Sequence, residues 1–402
     1  MPLSVYIARQ PIYDRNLAVH GYELLYRAGD TQHAQVTDGE LATSQLLINA
    51  LLEIGLPRLV GDRLAFVNLT ERFILGGLPE AFAPGQIVLE VLESVAPTPA
   101  VVASLQQLKA AGHTIALDDF EYSEAHRPLL ALADLIKLDV LNLEADEIAR
   151  RVHQLQAFKL PLLAEKVETR EQFNHCRQLG FDYFQGYFFC KPDLVQGEHT
   201  PACRNVILHM LARLQEPDLE FSQLADLIAQ DVSFSYRILR YINSAAVGLR
   251  RKVDSIQHAA TLIGLQRIKT WLTILALSQV DDKPHELMLT SLIRARLCEI
   301  LAEGAGSPPS HAFTTGLFST LDALTDQSME NVLADLPLAD EINQALLAHA
   351  GGLGHLLHLV LAYESGDWDT VDAARMETGS LSDAYLEAVE WSCNLSRSLL
   401  ET

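Results

Sequence analysis

From Val5 to about Pro192 the chain repeats one pattern: a short apolar run, then a longer segment with apolar residues at helical spacing. Nothing else in the sequence constrains the fold as strongly. Runs at 64–68, 87–91, 114–118, 135–139 and 162–166 read as strands, and segments 41–52, 99–111, 144–158 and 169–179 read as helices with Gly112 and Gly180 as stop signals. Repeated strand–helix–strand units require a parallel sheet, and their number suits a closed (β/α) barrel. Such a barrel usually takes ~250 residues, so in about 195 some elements must be brief.

Polar residues punctuate the pattern. Read as a strand, 21–27 alternates sides, so Glu23, Leu25 and Arg27 share one face. Asn68, Glu90, Asp118, Asp119, Asp139, Glu165, Glu168 and Gln185 stand in or just past strand-like runs, which in a barrel brings many of them to the C-terminal rim. One carboxylate at a strand end is commonly a helix N-cap. Several on one rim repel each other unless cations neutralise them, and carboxylates with an amide oxygen suit Mg²⁺ or Mn²⁺ rather than zinc. Two such ions can hold an attacking water and a phosphate oxygen together. Lys137, on the same strand face as Asp139, would orient the water or offset phosphate charge.

A chain of 402 residues holds two to three domains. Its net charge of -22, from 30 basic and 52 acidic residues, argues against broad binding to nucleic acid or to an anionic membrane. Arg237, Arg240, Arg250, Arg251, Lys252, Arg267 and Lys269 form one local basic cluster. The five cysteines include no Cys-x-x-Cys pair, which fits a reducing cytosol and a cytoplasmic protein. No apolar run approaches the ~20 residues that span a bilayer, and 353–363 is short and interrupted by His355 and His358. Residues 193–201 read as a linker, after which the chain is nearly all helical, with Ser222, Ser233 and Ser255 as N-caps. The expected division is a barrel over 1–197 and a helical domain over 198–402.

Gln10-Pro11-Ile12, Gly21-Tyr22-Glu23-Leu24-Leu25-Tyr26-Arg27, Val67-Asn68-Leu69-Thr70, Leu89-Glu90-Val91-Leu92-Glu93, Leu117-Asp118-Asp119-Phe120, Ile136-Lys137-Leu138-Asp139, Ala164-Glu165-Lys166-Val167-Glu168 and Gln185-Gly186-Tyr187 resemble, in order, the motifs of EAL-type cyclic di-GMP phosphodiesterases. The resemblance implies a modified TIM barrel in which metal ions help water open the cyclic dinucleotide to the linear one. It puts Glu23, Asn68, Glu90 and Asp118 on metal-ligand positions and Asp119 on the adjoining metal or water position. It gives Lys137 and Glu165 the nucleophile, Glu93, Glu168 and Gln185 supporting positions, and Arg27 a contact to substrate phosphate. Three departures stand out. Leu24 replaces the signature alanine, Lys166 replaces a glycine, and Glu121-Tyr122-Ser123 replaces a Gly-Thr-Gly loop that positions metals and mediates dimer contacts. Losing those glycines removes backbone angles that other residues resist.

The segments 224–231, 237–245 and 255–264 resemble the HDOD family, a helical output module related to metal-dependent HD phosphohydrolases. A His-Asp doublet, the metal-binding pair of that chemistry, is absent from the sequence, and 316–322 offers only Asp322 in its place. The helical domain therefore reads as non-catalytic, with a protein partner. Two readings of the whole stay open: a metal-dependent cyclic di-GMP phosphodiesterase, as a monomer or homodimer, and a cyclic di-GMP-binding or scaffolding protein. A lyase using Lys137 as a Schiff base is a distant third, because so many carboxylates around one lysine oppose the lowered pKa it needs.

Overall fold

Eight strands close into a barrel in sequence order: β1 Val5–Asp14, β2 Val19–Ala28, β3 Leu64–Leu69, β4 Ile87–Val91, β5 Thr114–Leu117, β6 Leu135–Asp139, β7 Leu162–Glu165 and β8 Tyr183–Gln185. The computed structural model describes residues 5–28, 55–76, 84–190, 202–216, 218–219, 223–224, 241–243, 262–278, 283–304, 306–374 and 378–400. β1 is antiparallel to both β2 and β8, and the other neighbours are parallel. The reason is local. Asp14 Oδ1 accepts hydrogen bonds from the Asn16 and Ala18 amides, and Leu17 takes φ 62°, so the chain turns straight back as a hairpin. A hairpin needs no crossover helix, which is one way the barrel closes in so few residues.

The expected helices form around these strands. Pro99–Ala110 starts where the Thr98 hydroxyl accepts from the Val101 amide, and it buries Val101, Leu105 and Leu108. Arg170–Leu179 opens with a Thr169/Gln172 capping box and ends at Gly180, φ 101°. The segment expected at 144–158 is a helix over Ala145–Leu155 followed by a 3-10 turn, and the helix expected at 41–52 lies outside the described residues.

Inside the barrel, Ile12, Phe66, Val88, Ala116, Leu135 and Leu163 form a buried apolar layer. A strand returns to the same face every second residue, so the next inward positions are Gln10, Asn68, Glu90, Asp118, Lys137 and Glu165. The polar layer therefore rests on an apolar floor.

The chain divides into two compact units, 1–189 with 361–386, and 190–360 with 387–402. The expected division at 197/198 assigns 361–386 elsewhere. In the first unit that segment covers β1: the Tyr363 hydroxyl donates to the Ile7 carbonyl (3.0 Å), the Arg9 amide donates to the Tyr385 hydroxyl (3.3 Å), and Trp368 stacks on Tyr6 with centroids 5.4 Å apart. In the second unit the helix His285–Leu301 is buried on nearly every side, and Gly316 lets the helix Pro309–Phe318 approach the Arg294 carbonyl so closely that a Cβ would stand 2.4 Å from it. The expected linker, the caps Ser222, Ser233 and Ser255, and Arg237, Arg240, Arg250, Arg251 and Lys252 lie outside the described residues. Of the basic cluster, Arg267 and Lys269 sit on the helix Leu265–Leu277, where the Lys269 ammonium donates to the Glu216 carbonyl (3.0 Å).

One stretch, Asp340–Ser365, is long and apolar enough to cross a membrane by length and hydropathy, although no uninterrupted apolar run of that length was expected. Half of its most apolar window is buried in the protein. It is two helices, Asp340–Ala348 and Gly351–Ser365, parted at His349 in the left-handed region (φ 50°). Burial and the break favour helices of a protein core.

Candidate active site

The inward polar positions stand level because neighbouring strands are in register. Gln10 pairs in register with Glu23, Asn68 with Glu90, and Asp139 with Glu165. At the centre is the ammonium of Lys137, whose side chain is fully buried. It lies 2.7 Å from Glu90, 2.7 Å from Asp118, 2.8 Å from Glu165 and 3.2 Å from Glu23. Glu23 is fixed further: the Asn68 amide donates to its Oε1 (2.9 Å), and the Gln185 amide donates both to its Oε2 and to Gln10 Oε1 (2.8 Å each). Tyr26 hydroxyl donates to the Asn68 carbonyl (2.9 Å) and ties β2 to β3 at the rim.

Burial raises the cost of every charge here, and the partners decide which are kept. Glu23 is pushed up by burial, but Lys137 and the hydrogen bonds from Gln185 and Asn68 outweigh it and leave its carboxyl below the ordinary range. Glu90 has burial and the neighbouring Glu23 against it, and its value rises well above the ordinary one. Glu165 is pushed up to about 8, first by burial and then by Asp118 and Glu23, with Lys137 opposing. Lys137 is disfavoured by burial, yet Glu165, Glu23, Glu90 and Asp118 together hold it firmly charged.

The donor set tests whether a divalent ion fits. Asn68 Oδ1, Glu90 Oε2, Asp119 Oδ1 and Glu165 Oε2 are buried oxygens that accept no hydrogen bond. Buried acceptors of this kind are costly unless something meets them, and hard oxygens are what Mg²⁺ or Mn²⁺ takes. Among the described residues no three His, Cys, Asp or Glu side chains form a metal cage by themselves. Lys137 offsets part of the repulsion among the carboxylates. The unmet oxygens and their chemistry fit the ion.

Beside this centre, meeting the Lys137 cluster only at Asp118, the loops after β4, β5 and β6 shape a cavity of about 510 Å³, lined among others by Glu93, Asp119, Phe120, Asp139 and Arg151, a size that takes a small-molecule ligand. Arg151 is held at its edge by Glu147 (3.0 Å) and by Glu121 (3.1 Å) of the divergent loop. That loop needs no glycine: Glu121, Tyr122 and Ser123 have no positive φ, and the Tyr122 hydroxyl donates to Glu124 (2.7 Å). The expected loss of backbone freedom is therefore not felt in this conformation.

Glu23, Asn68, Glu90, Asp118, Lys137, Glu165 and Gln185 come together. Asp119 stands at the rim and meets Lys166 rather than Lys137. Glu93 lines the cavity, and Glu168 is exposed beyond β7. Arg27 is four residues past Glu23, or roughly 13 Å along the strand, where it pairs with Asp369 (2.9 Å) and Asp372 (3.4 Å). Sequence reasoning passed over Gln10, whose signal was its place in the first motif, and Arg151, which stands in no motif.

A parallel barrel with one antiparallel strand and a carboxylate–lysine cluster at its C-terminal mouth defines a protein of the TIM-barrel class. The EAL domain family matches residues 69–192 and the HDOD domain family residues 200–332. YuxH of Bacillus subtilis is 36% identical over 405 residues, covering 98% of this chain and 99% of its own. The cyclic di-GMP phosphodiesterase CdgJ of Vibrio cholerae is 32% identical over 405 residues, covering 98% and 94%. The chain belongs to the family of proteins that join an EAL domain to an HDOD domain. EAL domains are metal-dependent. Among solved structures, the PaMucR phosphodiesterase in complex with c-di-GMP aligns with 46% of this chain and 90% of its own, at 26% identity and a TM-score of 0.36. The matched EAL region starts at residue 69, after Glu23 and Asn68, so it is the strand register that brings these two into the site.

Proposed function

We propose that the barrel is a phosphodiesterase that opens cyclic di-GMP to the linear dinucleotide with Mg²⁺ or Mn²⁺, and that the helical half is a non-catalytic module for a protein partner. The observation that carries this reading is the convergence of four carboxylates on buried Lys137 with acceptor oxygens left unmet around them. Glu23, Asn68, Glu90, Asp118 and Asp119 would hold the metal, which when bound polarises a phosphate oxygen and acidifies water. In hydrolysis the water oxygen bonds to phosphorus, one ester P–O bond breaks, the water gives up a proton, and the departing ribose oxygen takes one up. Glu165 is placed to take that proton in its ionised form, and Lys137 keeps a fixed positive charge beside it. Gln185 and Gln10 hold Glu23 in one orientation. Asp322, where a hydrolytic His-Asp pair would fall in the helical half, accepts from the Ala323 amide and faces Arg294, a structural role.

A second reading, binding without turnover, is favoured by Lys166, which pairs with Asp119 and Asp139 where metal-holding carboxylates would otherwise stand free. Incubating the pure chain with cyclic di-GMP and Mg²⁺ or Mn²⁺ separates the two. Linear dinucleotide in the chromatogram is the expected result, and micromolar binding with no product would favour the second reading.

A further inference from the structure

Lys166 has no part in the reading above except as an obstacle, yet the fold goes to some trouble to hold it. Its backbone is in the left-handed region (φ 55°), which side chains resist. The position is pinned from the next residue: the Val167 amide donates to the Gln185 carbonyl (2.9 Å), the Phe188 amide donates to the Val167 carbonyl (3.2 Å), and Gly186 packs directly on that peptide. Across the rim, Asp119 is also left-handed (φ 41°). Between them the Lys166 ammonium lies 2.5 Å from Asp139 Oδ2 and 3.7 Å from Asp119 Oδ2.

A cation bridging two carboxylates does what a divalent ion at the same place would do. Lys137 and Lys166 thus divide the rim: Glu23, Glu90, Asp118 and Glu165 face the first, Asp119 and Asp139 the second. Two cations a few ångströms apart repel, so a metal reaching Asp119 and Asp139 must first displace the ammonium. Lys166 can leave, because its side chain is 49% exposed.

We propose that Lys166 is a resident cation across Asp119 and Asp139, so that the chain takes one divalent ion tightly, towards Glu23, Asn68, Glu90 and Asp118, and a second only when Lys166 swings into solvent. The inference rests on the metal-binding reading given under Proposed function. It makes Lys166 a positioning residue that sets metal stoichiometry.

The test is Mn²⁺ titration of the full chain, read by calorimetry and by the electron spin resonance of free Mn²⁺, for the natural protein, Lys166→Gly and Lys166→Gln. The natural chain should bind one ion tightly and a second at least tenfold more weakly, and both variants should tighten the second by tenfold or more. Glutamine keeps a side chain on the strained backbone while removing the charge, so it answers the question even if glycine loosens the turn. Tightening in the glycine variant alone would assign the effect to the backbone and overturn the proposal, as would the same stoichiometry and affinities in all three. Absence of Mn²⁺ binding in every protein would overturn the metal-binding reading and this inference with it.

Discussion

At the scale of single residues, the proposed chemistry turns on Glu165. Its carboxyl, pushed up to about 8 chiefly by burial, has a folded value above its unfolded one. Such a group adds stability below about pH 4.5 that is lost as pH rises through about 8. With metal chelated, urea midpoints should therefore fall between pH 6 and 8.5, and Glu165→Gln should remove much of that fall. Equal slopes in the two proteins would contradict the assignment. Divalent ion should reverse the trend, since it favours ionised carboxylates and releases their protons. In turnover, Glu165→Gln should lower kcat by about 10² or more while changing dinucleotide affinity little. A parallel loss of binding would point to a structural role. Asn68, Glu90, Asp118, Lys137, Glu165 and Gln185 were legible as a set because each stands two residues beyond an apolar or aromatic position of a strand pattern, whereas Glu23, two residues after Gly21 in the middle of β2, was legible from its motif. Arg27 was legible only as a residue on the right face. Its partners Asp369 and Asp372 are more than 300 positions away, and nothing local announces them.

Among elements, the junction of β7 and β8 is the tightest. A Cβ on Gly186 would stand 2.1 Å from the Val167 carbonyl oxygen, and φ is 146°. Gly186→Ala should cost about 3 kcal/mol, and because Gln185 precedes it, metal affinity should fall as well. A urea midpoint equal to that of the natural chain would refute this account of the junction. The strands and helices of the barrel were readable because each alternation or helical stripe is decided by a local period. The hairpin was less so: the turn at 15–18 depends on Asp14 accepting two amides, and no glycine marks it. The 121–123 loop lacks the glycines of the family it resembles, and its backbone takes no positive φ that would need them. Restoring Gly-Thr-Gly there should remove the Glu121–Arg151 pair and loosen the cavity edge, leaving the metal site in place.

For the whole molecule, residues 361–386 belong with the barrel unit although a continuous helical pattern joins them to the other half. Tyr363 and Tyr385 are nearly fully buried, and each meets the backbone of β1. Burying such rings contributes stability in proportion to the 150–250 Å² each removes from water. A chain ended at residue 197 should therefore unfold at lower urea than the barrel of the full protein, with Tyr6 and Ile7 newly exposed. An unchanged midpoint would show the segment to be dispensable. That placement was unreadable because it joins residues some 350 positions apart through single hydroxyls, a stacked ring pair and the ion pairs of Arg27, which leave no periodic trace. The central claim is hydrolysis of a phosphodiester by this cluster, and phosphorus NMR of cyclic di-GMP incubated with the full chain and Mg²⁺ tests it most directly. The account predicts that the single diester resonance gives way to equal diester and monoester signals, and that chelator stops the change. A diester resonance that persists unaltered in the presence of Mg²⁺ and folded protein would contradict it.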